Sequence, residues 1–132
     1  MGVKHGIRPQ YHFRSTQDGV LIWDVRRLVR LSEGLPAQQV DPSQFVELQE
    51  NHWYRHGDQQ PSPTSILEHM ALIDACDLSY PIILDANGRV MDGMHRICKA
   101  VKEGVATIPA VHFIIDPEPD YVDISPAQLP YD

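Results

Sequence analysis

The sequence predicts an α/β fold of the α+β kind, a small mixed sheet with flanking helices. Three observations point to it. Apolar residues recur at helical spacing in three separate segments, and short apolar runs of strand length lie between them. One pair of those runs is joined by Asn87-Gly88, a dipeptide suited to a tight hairpin. The chain has 132 residues, 42% hydrophobic and 22% charged, which is the composition of one globular domain able to bury one core. We divide it into a single domain at 1–115 and an acidic, proline-rich tail at 116–132.

Residues 1–19 read as polar and irregular, ending in an Asp18-Gly19 turn. Val20 to Trp23 is a short strand or the lead-in to a helix. From Asp24 the spacing becomes helical: Val25, Leu28, Val29 and Leu35 form a stripe, with Asp24 placed to cap the start and Gly34 to end it. Gln38 to Asp41 reads as a short strand, followed by a turn or brief helix from Pro42 through Leu48. A polar and aromatic cluster, 51–58, leads into a proline-containing loop at 59–63.

The second helix is signalled by Ser65-x-x-Glu68, a capping box, and is expected to run to about Asp77. Ile66, Leu67, Met70, Ile73 and Leu78 supply its buried stripe. Pro81 to Leu84 suits a buried strand, and Arg89 to Met91 returns beside it after the Asn87-Gly88 turn. The third helix starts at Asp92-Gly93 and runs through Glu103, with Ile97, Ala100 and Val101 inward and Gly104 closing it. Thr107 to Ile115 is the last strand of the domain. Tyr121 to Ile124 is the one stretch of the tail with the character of ordered structure.

Charge and cysteine content narrow the function. The formal net charge is −7; residues 116–132 hold five acids and no Lys or Arg, which leaves 13 acidic against 11 basic residues, a net −2, in the first 115. That balance lacks the broad basic footprint of non-specific nucleic-acid binding, so nucleic acid is not the expected partner. No apolar run approaches the roughly 20 residues that cross a bilayer. The start of the chain resembles neither a secretory signal nor a myristoylation site, so no membrane partner is expected. Two cysteines, Cys76 and Cys98, are too few for a disulfide framework, and they read as reduced packing residues of a cytoplasmic protein.

The stretch richest in chemistry is Asp92-Gly93-Met94-His95-Arg96. A helix start carries backbone N–H groups without helical partners and the positive end of the helix dipole. Gly93 allows close approach to the backbone, His95 and Arg96 add donors, and Asp92 can cap the helix or hold one of those side chains. These are the parts of a phosphate site. A purely structural turn, with His95 and Arg96 in water, explains the same residues equally well.

The resemblance of the region adds to the first reading. Pro81-Ile82-Ile83-Leu84, the Asn87-Gly88 turn, Asp92-Gly93-Met94-His95-Arg96, then Ala100, Gly104 and Thr107-Ile108-Pro109-Ala110-Val111 resemble the ParB/sulfiredoxin superfamily over about 80–113. Val40 to Leu48 is placed where the family has an earlier strand and turn. The resemblance implies a ParB/sulfiredoxin-like fold whose turn contacts nucleotide phosphates, a role that falls here on Gly93, Met94, His95 and Arg96. It does not fix the activity, because the superfamily includes CTP-binding partition proteins, sulfinic acid reductases, nucleases and free-serine kinases. Sulfiredoxin-like members have a nucleophilic Cys where this chain has Met94, whose thioether cannot attack a phosphoryl ester. Cys98, one helical turn on, is expected to point elsewhere. Partition proteins carry Arg where His95 stands, together with further domains. The D-G-x-H-R form is most similar to the free-serine kinase branch, which implies ATP or ADP, or another nucleotide, with Mg²⁺ held nearest Asp92. That branch also implies a carboxylate base, for which Glu47 and Glu50 are the candidates, while His95 would donate to a phosphate oxygen.

Other groupings are weaker. His52 and His56, with Asp58 or His69, have the look of a metal site but no established ligand pattern, and no metal ligand is assigned. Trp53 and Tyr54 either stack on a base or anchor their loop to the core. His12 and His112 carry no signal. The expectation is therefore a domain binding a nucleotide or small phosphorylated ligand, with phosphotransfer as its chemistry if it has any. The alternative is a non-catalytic regulatory module whose tail contacts a protein partner. A third reading, a nuclease, requires Arg26, Arg27, Arg30, Arg89 and Arg96 to form one basic surface.

Overall fold

A computed structural model describes residues 10–55 and 59–131. The order is β1 (Tyr11–Thr16), β2 (Gly19–Asp24), α1 (Val25–Ser32), β3 (Gln38–Val40), 3₁₀ turns at Pro42–Gln44 and Val46–Gln49, and α2 (Pro63–Ala75). Then come β4 (Ile82–Leu84), β5 (Val90–Asp92), α3 (Met94–Glu103), β6 (Ile108–His112), β7 (Tyr121–Val122) and a 3₁₀ turn at Pro126–Gln128. The fold is thus α+β, with two small sheets. One has the order β1-β2-β7; the other has the order β3-β6-β4-β5 and is mixed, since β4 runs parallel to β6 while β3 and β5 are antiparallel to their neighbours.

The mixed sheet separates two apolar clusters, because successive side chains of a strand point to opposite faces. Ile82, Leu84, Ile108 and Ala110 face Met94, Ile97 and Ala100 of α3, together with Phe45. Ile83, Met91 and Val111 face the other way, against Val25 and Leu28 of α1 and Trp23 of β2. A register shift between Ile83 and Leu84 gives β5 one extra residue. Val90 and Met91, neighbours on β5, are both buried, one in each cluster, because the sheet is covered on both faces.

Several expectations are met. Asp24 caps α1 by accepting from the Arg26 N–H, and Gly104 ends α3 in the left-handed conformation. The β4–β5 turn is closed by the Gly88 N–H donating to the Asp85 carbonyl and by the buried Asp85 carboxylate accepting from the Asn87 and Arg89 N–H groups. Gly88 alone in that turn takes positive φ.

Others are corrected. The segment expected to be irregular contains β1, paired with β2 from Tyr11↔Asp24 to Thr16↔Gly19. Its polar composition reflects an edge position in which Arg14 lies over the Trp23 ring and pairs with Asp85 and Asp116. The α2 cap is Ser62, which accepts from the Ser65 N–H; Ser65 itself is buried inside the helix, so the capping box does not form. Three of the five residues of the expected α2 stripe, Ile66, Leu67 and Met70, are exposed while Ser65 and His69 are buried; of the other two, Ile73 is half-buried and Leu78 packs against the core. Val101, expected inward, is exposed as well.

Residues 116–131 lie along the first sheet. Tyr121 and Val122 pair with β2, Trp23 Nε1 donates to the Pro117 carbonyl, and Asp120 accepts from the Asp24 N–H and from Arg27. Among the described residues no helix is long and apolar enough to cross a membrane.

Candidate functional site

The strand-turn-helix from β5 to α3 places the five residues of the Asp92–Arg96 turn. Gly93 is the cap of α3 at φ 116°, a conformation that side-chain-bearing residues rarely adopt. A Cβ on Gly93 would stand 2.4 Å from Ile82 Cγ2, so this glycine makes room for the β4 side chain. Met94 turns into the core. Arg96 donates from Nη2 to Asp92 Oδ2 at 2.9 Å, both side chains being 15% exposed. No side chain among the described residues caps α3, and its first turn holds no acid.

His95 belongs to a cluster that spans three segments. Its Nε2 lies 2.8 Å from Nδ1 of His69 on α2, and Nε2 of His69 lies 3.1 Å from the side-chain oxygen of Gln59. With that oxygen accepting, His69 carries its proton on Nε2, and its Nδ1 accepts from His95 Nε2–H. Trp53 stacks on both imidazoles, with centroids 4.2 Å from His69 and 5.0 Å from His95 and an interplanar angle of 15° in each case. Tyr54 meets His69 edge-on, and its hydroxyl accepts from Ser65 Oγ. Both aromatic residues of the 51–58 cluster therefore tie their loop to α2 and α3.

Glu47 and Glu50 are brought to the start of β5, where Arg89 holds both. Glu47 is 3% exposed; its Oε2 accepts from the Val90 N–H at 2.7 Å and lies 3.4 Å from Arg89 Nε. Glu50 accepts two hydrogen bonds from the Arg89 guanidinium, at 2.7 and 3.1 Å, which hold its carboxyl below the usual range. A carboxylate so stabilised is a weak proton acceptor.

A pocket of about 150 Å³ lies between this segment and α3, lined by Glu47, Leu48, Glu50, His52, Met94 and Cys98. Burial pushes the His52 imidazole down to about 4, Arg55 adding to the effect, so it is neutral at pH 7. Its Nδ1 is buried with no hydrogen-bond partner among the described residues. Cys98 shares the pocket with Met94, contrary to the expectation that it points elsewhere. Residues four apart lie on one helix face. Burial raises its thiol, which keeps it protonated.

Arg26, Arg27, Arg89 and Arg96 are each paired with a different carboxylate: Asp24, Asp120, Glu50 and Asp92. Among the described residues no group of three or more His, Cys, Asp or Glu is arranged to hold a metal. His56 and Asp58 of the suggested metal grouping lie outside the described residues. What sequence reasoning missed was the His69–His95–Trp53 stack. Its only signal was the buried-face spacing of Ser65, His69 and Leu72, at i, i+4 and i+7 on a helix whose apolar stripe lies elsewhere. No protein-family model, no curated protein and no solved structure matches this chain.

Proposed function

We propose that this chain is a small α+β binding domain for a nucleotide or another small phosphorylated ligand, held at the start of α3. One observation carries the reading. The first turn of α3 has no side-chain cap and no acid, and the pocket beside it includes Met94 of that turn and His52, whose Nδ1 is buried and unpartnered. Backbone N–H groups at a helix start, with the dipole behind them, favour an anion. Arg96 would exchange Asp92 for a phosphate oxygen, since both are acceptors of the same guanidinium fork. Asp92, once released, is the carboxylate adjacent to the turn for a Mg²⁺ ion on the ligand. The ParB/sulfiredoxin-like motif supports the same placement.

Binding is favoured over transfer because both candidate bases, Glu47 and Glu50, are engaged by Arg89. A reducing, cytoplasmic location fits two free thiols.

The test is a thermal-shift and calorimetric screen with ATP, ADP, CTP, GTP and pyrophosphate, with and without Mg²⁺. A true ligand at 100 times its dissociation constant adds about 2.7 kcal/mol of stability. That increment should shrink in Arg96→Gln and in His52→Phe, each measured against its own ligand-free baseline. No increment with any ligand, or an undiminished one in both variants, removes the proposal.

A further inference from the structure

Two sulfurs and one unpartnered nitrogen line the pocket of about 150 Å³ beside α3. Met94 and Cys98 stand four residues apart on one face of the helix, a spacing that sets Cβ atoms about 5–6 Å from each other. His52 lines the pocket from another segment, and its Nδ1 is buried with no hydrogen-bond partner among the described residues. Burial keeps this imidazole neutral at pH 7, so with its proton on Nε2 the Nδ1 atom carries an unused lone pair. A buried polar atom in that state calls for a water, an ion or a ligand to complete it.

The lining decides between hard and soft partners. Its two carboxylates, Glu47 and Glu50, are already engaged by Arg89. Its thiol is not engaged: Cys98 is free, whereas Cys76, outside the pocket, donates from Sγ to the Ile73 carbonyl at 3.1 Å. Mg²⁺ and Ca²⁺ take oxygen ligands, and a structural Zn²⁺ site takes four donors where this pocket offers three. Thiolate and thioether are the soft ligands that suit Cu(I), and imidazole binds copper as well.

We infer that Cys98 Sγ, Met94 Sδ and His52 Nδ1 form a three-coordinate site for Cu(I). On binding, the S–H bond of Cys98 breaks, the proton leaves to solvent, and a copper–thiolate bond forms in its place. No electron is transferred. The charges of Cu(I) and the thiolate cancel, so the pocket gains no net charge to bury. Only two of the three ligands are His or Cys, which is why no cluster of three His, Cys, Asp or Glu marks the place among the described residues. Neither Arg96 nor the backbone N–H groups of α3 take part, so the site stands apart from any phosphate at that helix start.

The test titrates the full chain, without oxygen and with ascorbate present, into the coloured complex of Cu(I) with bicinchoninate. Loss of colour reports copper passing to the protein, and the wild type should take up one equivalent. Cys98→Ala, Met94→Leu and His52→Phe should each weaken binding at least about tenfold, the lower end of what even outer-shell partners of a metal contribute. Circular dichroism melts verify that the variants fold, and Cys98→Ser replaces Cys98→Ala if that one does not. Cys76→Ser and Arg96→Gln should bind copper as the wild type does. A wild type that leaves the colour intact overturns the site. Uptake undiminished in the Cys98 variant, or lost in Cys76→Ser, places the ion elsewhere on the chain and overturns it equally. Stabilisation by a nucleotide that persists when copper uptake fails leaves the phosphate reading standing alone.

Discussion

Nδ1 of His69 and Nε2 of His95 lie 2.8 Å apart, and the two imidazoles share one stacking partner, Trp53. The pair bonds α2 to α3 across 26 residues of sequence, on a face where α2 buries the polar Ser65 and His69. A polar network in such a place stabilises only when all its members are satisfied. His69→Ala and His95→Ala should each lower stability, and the double variant should cost less than the sum. The double-mutant cycle should return a coupling of about 1–2 kcal/mol in urea unfolding. Additive losses would mean that the two rings act separately.

The Asp92–Arg96 turn depends first on Gly93. Alanine there combines a φ of 116° with a Cβ 2.4 Å from Ile82, so strain and overpacking add. Gly93→Ala should cost about 3 kcal/mol or more. Gly88→Ala also has positive φ, but nothing lies within 4 Å of its Cβ, and it should cost only about 1 kcal/mol. Urea midpoints of the two variants separate the steric contribution from the conformational one.

The local signals in the sequence carried well into three dimensions: the cap at Asp24, the β4–β5 hairpin with its glycine, and the stop at Gly104. Each is decided by a few neighbouring residues. The failures share a cause. β1 is polar because it is an edge strand whose Arg14 answers Asp85 and Asp116, more than 70 and 100 residues away. α2 was assigned its stripe correctly and its orientation wrongly, since periodicity says which residues share a face and not what that face meets. At the site, the Asp92–Arg96 turn was legible as a motif. The partners that define its chemistry, Trp53, His69 and Ile82, were not, because each comes from another element.

His52 makes stability depend on pH. Its folded-state value, about 4, lies below the ordinary 6.5, so below pH 6.5 the unfolded chain binds a proton that the folded chain refuses. The contribution is fully present above pH 6.5 and is lost as pH falls towards 4, by up to about 3 kcal/mol. The phenylalanine variant, His52→Phe, lacks this group. The difference between wild type and variant in denaturant titrations should therefore narrow or change sign over that window. A constant difference would place His52 in water.

Arg89 holds two carboxylates, one of them, on Glu47, almost wholly buried. Arg89→Met should cost about 2–3 kcal/mol, mostly from leaving Glu47 with less compensation in a dry site. Arg89→Lys should recover little, because an ammonium cannot reproduce the two parallel bonds to Glu50. Glu47→Gln in the Arg89→Met background should restore part of the loss by removing the buried charge. Thermal melts of the three proteins at pH 7 decide the order.

The final segment is acidic in sequence and clamped in structure. Asp116 reaches Arg14 and the Ala86 N–H, Asp120 and the Glu118 carbonyl hold Arg27, and Asp123 accepts from the Val20 N–H. The Tyr11 hydroxyl donates to the Pro130 carbonyl at the far end of the same stretch. Trp23, 1% exposed, donates its indole N–H to the Pro117 carbonyl, so removing residues 116–132 leaves that donor without its acceptor. The truncation should lower stability by at least about 2 kcal/mol, about 5 °C or more in Tm for a domain of this size. Trp23 is one of only two tryptophans, and its emission should shift to the red as water reaches the ring. Salt should weaken the arginine contacts of the intact protein more than those of the truncated one. An unchanged Tm and emission maximum would mean that the segment is free to serve a partner, as its composition alone suggests.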